Sequence, residues 1–183
     1  QRIYAVNDEA ALLICDYGKA ERPRIPFPYY AEAWTGLEYM AGAQMMYAGM
    51  VREGVEAFEN VRMRHDGERR NPWDEPECGH HYARAMAAWS GVVALSGFLY
   101  DAAAQRVDLT PRMPGTVVRS FWSAGTGWGV YEFRRGARAS VRVLHGSLAC
   151  RELSIPGAGV SRVLLDGAVH AHTAERRGER VVV

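Results

Sequence analysis

Between Arg69 and Met86, the stretch RRNPWDEPECGHHYARAM sets two glutamates, a cysteine, two adjacent histidines and three arginines beside a tryptophan. Three chemistries use such residue types: a zinc site, a pair of catalytic carboxylates, or the wall of a ligand pocket. Cys78, His80 and His81 carry the usual zinc ligands, but ligand pairs normally stand two or more residues apart so that their side chains converge. The chain has no Cys-x-x-Cys or His-x-x-x-His pair, so no metal is expected. As a nucleophile, Cys78 would need His80 or His81 as its base, and a half-buried packing thiol is the simpler role. Glu75 and Glu77 project the same way from an extended loop. Carboxylates about 5 Å apart suit a retaining glycosidase. A catalytic pair, however, needs two different environments, and neighbours on one loop share one. Binding suits them better. Glu75 can accept hydrogen bonds from sugar hydroxyls, and Arg84, expected on the first turn of the following helix, can donate to the same hydroxyls or hold the carboxylate. An ion pair that pins the loop to the helix is the competing role.

The elements that must position these residues are helical. Thr35 with Glu38 reads as a capping box, followed by Leu37, Met40, Ala41, Met45 and Ala48 at helical spacing. A second helical face runs through Val51, Val55, Phe58 and Val61 and stops at Asp66-Gly67. Pro72 and Pro76 hold the motif loop out of a helix. A third helix is expected from about His81 to Ser96, before Gly97. These helices are apolar on more than one side, as in a larger helical array with neighbours on both faces.

After Tyr100 the pattern changes to short runs of β-branched residues: RVDLTP, TVVRSFWSA, GWGVYEFRR, ASVRVLHG, ACRELSIP and RVLLDGAVHAH. Glycine, proline and Asp-Gly separate them, as in antiparallel meanders, with Asp166-Gly167 the best hairpin turn. The predicted class is α+β, with helices over 1–101 followed by a β-rich extension over 102–183 that forms a small sheet or sandwich.

Composition narrows the function classes. The 183 residues carry 22 basic and 21 acidic side chains, a net charge of +1, so no overall basic field exists to collect nucleic acid. The most apolar run, AMAAWSGVVALSGFLY, is shorter than a membrane span. Three cysteines, widely spaced and odd in number, do not make a disulfide framework, which suits a reducing, cytoplasmic setting. The chain opens on Gln1 and runs at once into RIYAVNDEAALLI, which reads as a piece of a longer protein.

Residues 1–101 resemble the C-terminal part of the catalytic domain of glycoside hydrolase family 116, the non-lysosomal glucosylceramidase and bile acid β-glucosidase family. The resemblance begins with RIYAVNDEAALLICDYGKAERPRIPFPY and is carried by RPRIPFPYYAEAWTGLEYMAGAQMMYAGMVREG and by the signature N-P-[FW]-x-E-x-E-C-G-x-H-Y-A-R, matched from Asn71 to Arg84. It implies an (α/α)6 barrel, of which this chain would be the last helices. It also implies retaining hydrolysis of a β-glucoside or glucosylceramide-like substrate without a cofactor. The nucleophilic glutamate and the acid/base aspartate would lie upstream of the motif, in the rest of the catalytic domain, leaving no catalytic residue here. Glu75 and Arg84 correspond best to the family's pair that holds the glucosyl hydroxyls, and Glu77 is the neighbouring alternative. Trp73, His81, Glu32 and Trp34 are further substrate-binding candidates. A non-catalytic carbohydrate-binding or interaction module is the second hypothesis. The β-rich extension departs from those family members that end soon after the third helix.

Overall fold

A computed structural model describes residues 7–30, 32–75, 84–157 and 159–183. The chain forms two compact units, Gln1–Ala94 and Leu95–Val183.

In the first unit α1 (Thr35–Tyr47) packs against α2 (Val51–Arg64). Gly49, at φ +91°, makes the reversal between them. The contact is close because small residues meet. A methyl group built on Gly54 would stand 2.5 Å from the Gly42 carbonyl oxygen and 2.6 Å from Met46 Cγ. The buried face of α1 is therefore Gly36, Gly42, Ala43 and Met46, while Leu37, Met40 and Ala48 of the predicted apolar series face outward. Backbone proximity at the glycines chose the inner face, which a count of apolar residues could not show.

The predicted capping box does not form. Trp34 occupies the N-cap without a side-chain bond. Glu38 instead pairs with the Arg64 guanidinium and accepts the Leu12 N–H at 2.9 Å. Both members of that pair are 2% exposed, and a buried arginine takes the nearest carboxylate in preference to leaving it on a cap. The segment before α1 is tied to this unit by further bonds: Arg64 also donates to the Ala10 carbonyl, Arg70 grips Glu9 through both its terminal nitrogens, and the Ile14 N–H donates to the Glu32 carbonyl at 2.8 Å.

After α2 the chain turns through Asp66, whose Oδ1 accepts the N–H groups of Glu68 and Arg69, and through Asn71, whose Oδ1 accepts the Trp73 N–H. Beyond it, a 3-10 turn at Ala85–Ala88 leads into α3 (Trp89–Ser96). The predicted start of that helix near His81 lies outside the described residues.

The second unit is β. Strands β1 (Phe98–Asp101), β2 (Arg106–Leu109), β6 (Glu152–Pro156), β10 (Arg180–Val182) and β9 (Glu175–Arg177) form one sheet in the order β1-β2-β6-β10-β9. Strands β3 (Val117–Ala124), β4 (Gly127–Arg134) and β5 (Arg138–Gly146) form a second, antiparallel sheet. Val107 and Leu109 of the first sheet meet Val118, Trp122, Tyr131 and Phe133 of the second in one core, which makes a small sandwich. The expected simple meander is corrected in one respect: β2 and β6 pair in parallel, and β10 enters the sheet between β6 and β9. The hairpin at Asp166-Gly167 forms between β7 (Val163–Leu165) and β8 (Ala168–His170), with both turn residues at positive φ. The molecule is thus a mixed α+β chain with mainly antiparallel sheets.

Candidate functional site

Glu75, in the motif, is 4% exposed. Its carboxylate sits at the N-terminus of α1, where Oε2 accepts the Thr35 N–H at 3.2 Å and Oε1 accepts the Thr35 hydroxyl. A residue forty positions along the chain therefore satisfies a donor that the helix's own first turn leaves open, and the helix dipole favours its negative charge. Arg84 pairs with the same oxygen, its Nη1 3.6 Å from Glu75 Oε2. Its side chain keeps 27% of its surface exposed, against 6% for Glu75. It stands just ahead of the 3-10 turn rather than within the first turn of a helix as expected.

The Arg84 guanidinium lies over the Trp34 ring, 5.6 Å from its centroid. Its stem crosses Gly36, where an added methyl would stand 2.3 Å from Arg84 Cδ. The Trp34 indole N–H donates to Glu32 Oε2 at 2.7 Å, and Tyr29 packs edge-on against the same indole at 5.2 Å. Glu32, Trp34, Glu75 and Arg84 are thus contiguous, a row of alternating acid, aromatic and base on one side of the start of α1. The row holds two buried carboxylates, each 4% exposed, and one partly exposed planar donor, the Arg84 guanidinium above the indole.

Tyr39 lies one helical turn below. Burial first, then the negative charges of Glu38 and Glu75, hold its hydroxyl above the ordinary tyrosine range. Its ring packs on Phe58 at 4.9 Å.

Trp73 stands apart from this row. It is 71% exposed and lines, with Arg62 and residues 66–72, an open hollow of about 710 Å3 on the loop's outer side. Glu77 and His81, like Cys78 and His80, lie outside the described residues. Among the described residues no group of three or more histidine, cysteine or acidic side chains is placed to hold a metal ion, and no helix is long and apolar enough to cross a membrane. Sequence reasoning missed Thr35 as the partner of Glu75 and Gly36 as the seat of Arg84. A glycine in the first turn of a helix, where it lowers helix propensity, was the available signal of a close approach.

No family model matches the sequence, and no curated protein matches it.

Proposed function

We propose that this chain is the sugar-holding part of a retaining β-glucosidase or glucosylceramidase of the family 116 type, with the nucleophile and acid/base supplied by the rest of the catalytic domain. The observation that carries the reading is the Glu75–Arg84 pair, with Arg84 set over Trp34, at the fifth and last positions of the fourteen-residue stretch Asn71–Arg84 that resembles the family signature. In this reading Arg84 is the outward donor to the glucosyl hydroxyls. Glu75 fixes its direction and accepts from a hydroxyl through the lone pairs left after Thr35. Trp34 and Glu32 continue the wall, and Glu77, His81 and Trp73 are secondary members. The outward-facing Leu37, Met40 and Tyr47 of α1 are the surface that further barrel helices would cover. The unpaired thiols of Cys15 and Cys150 agree with a cytoplasmic setting.

The test is hydrolysis of an aryl β-glucoside by the complete protein. Glu75→Ala and Arg84→Ala should each lower kcat/KM by an amount equivalent to about 2–4 kcal/mol, because each leaves a desolvated charged partner unsatisfied. Thr35→Val separates the two roles of Glu75. It removes one donor at the helix start while leaving the carboxylate, so it should lower the melting temperature and spare kcat/KM. Unchanged kinetics in the Glu75 and Arg84 variants would remove the assignment. A Thr35→Val loss equal to that of Glu75→Ala would make the carboxylate a helix cap only.

A further inference from the structure

The outer face of the three-stranded sheet carries a set of side chains that the sugar wall of the first unit does not use. Strands β3, β4 and β5 turn Val118, Trp122, Tyr131 and Phe133 into the core. The alternate residues therefore face outward. Register places Trp128 beside His145, then Val130 beside Arg142, then Arg119 beside Glu132, then Arg134 beside Arg138. Trp128 is 51% exposed and stacks on the His145 ring, with centroids 6.1 Å apart and planes 24° from parallel. Arg119 donates to Glu132 at 2.7 Å. The Arg119 hydrogen bond foremost, with the charges of Arg119, Arg134 and Arg138, holds that carboxyl below its ordinary range, so the three arginines surround it on one surface. Four arginines against one glutamate leave three positive charges in excess on this face, although the whole chain carries only +1. From Trp128 to Arg134 the face extends roughly 20 Å, three same-side steps of a strand.

We propose that this face binds an anionic oligosaccharide, one ring stacking on Trp128 and the acid groups along the chain meeting Arg142 and the arginines beyond it. Charge complementarity selects an anionic ligand. The rigid sheet supplies a preformed surface, and an indole offers a flat apolar body to the C–H face of a pyranose. Phe121, opposite Val130 and 41% exposed, adds a second outward ring near Trp128, so single-stranded nucleic acid, whose bases stack on successive aromatic platforms, is the competing ligand that the oligothymidylate tests. The inference stands on residues separate from Glu75 and Arg84 and is read by binding, not by hydrolysis.

The experiment titrates the full chain by calorimetry with a short oligogalacturonate, a neutral cello-oligosaccharide and an oligothymidylate, at low and at physiological salt. The oligogalacturonate should bind, more weakly as salt rises. Trp128→Ala and Arg142→Glu should each weaken it by about ten-fold or more. Both side chains point away from the core, so the melting temperature should hold, and Trp128→Leu and Arg142→Gln give the same comparison if the first pair shifts it. No binding of the oligogalacturonate, equal binding of the neutral sugar, tighter binding of the oligothymidylate, or undiminished binding by folded variants would each overturn the proposal.

Discussion

Burial decides the behaviour of single residues in both units. Glu38 and Arg64 are charged groups almost without solvent contact, and each also binds backbone of the preceding segment, so the pair orders that segment as well as α1 and α2. Such a pair gives little net stability against an apolar replacement of both partners, but losing one partner leaves a buried charge at a cost of about 3–5 kcal/mol. Tyr131 shows the same principle with a proton. It is 2% exposed, its hydroxyl donates to the Ser96 carbonyl, and burial pushes its pKa up to about 12. Because the folded pKa lies above the unfolded value of about 10, the unfolded chain releases this proton first. The contribution of Tyr131 is therefore whole below pH 10 and falls as pH rises towards 12, by at most about 1.4 kcal/mol per pH unit. Urea unfolding at pH 9, 10 and 11 should show that decline, and Tyr131→Phe should flatten it while lowering stability at neutral pH by about 1 kcal/mol for the lost hydrogen bond. An equal slope in the variant would assign the alkaline loss to other groups.

At the scale of elements, the α1–α2 contact reverses an ordinary expectation. Replacing a helical glycine by alanine normally stabilises by about 1 kcal/mol through propensity. At Gly54 the new methyl meets the Gly42 carbonyl, backbone that cannot swing aside, so overpacking of about 1–3 kcal/mol should win. Gly54→Ala should thus lower the melting temperature, and a rise would mean that the helices can part freely. The element positions themselves were largely legible. Both long helices, the stop at Asp66-Gly67, the loop stiffened by Pro72 and the hairpin at Asp166-Gly167 stand where periodicity and turn residues predict them. Strands β1, β9 and β10 were not legible, since three or four residues each, with β9 wholly charged, make too short a run to show alternation. Their strand state depends on partners distant in sequence, such as Val181 opposite Ile155.

At the scale of the whole molecule, the proposed function makes one sharp demand. If the catalytic carboxylates belong to the rest of the domain, residues 1–183 alone should give no turnover of an aryl β-glucoside above buffer, and measurable hydrolysis by this chain would place a nucleophile among its own residues. What the sequence by itself determined is local: the helical and extended periods, the turn residues, the near-neutral charge and the motif from Asn71 to Arg84. What only the tertiary structure decided is partnership. Glu38 left the cap for Arg64, Glu75 took up the Thr35 donors forty residues away, Arg84 settled over Trp34 across a glycine, and Trp122 turned inward while Trp128 stayed out. Each of these choices depends on which groups folding brings into contact and which it leaves to water, and spacing along the chain carries no record of that.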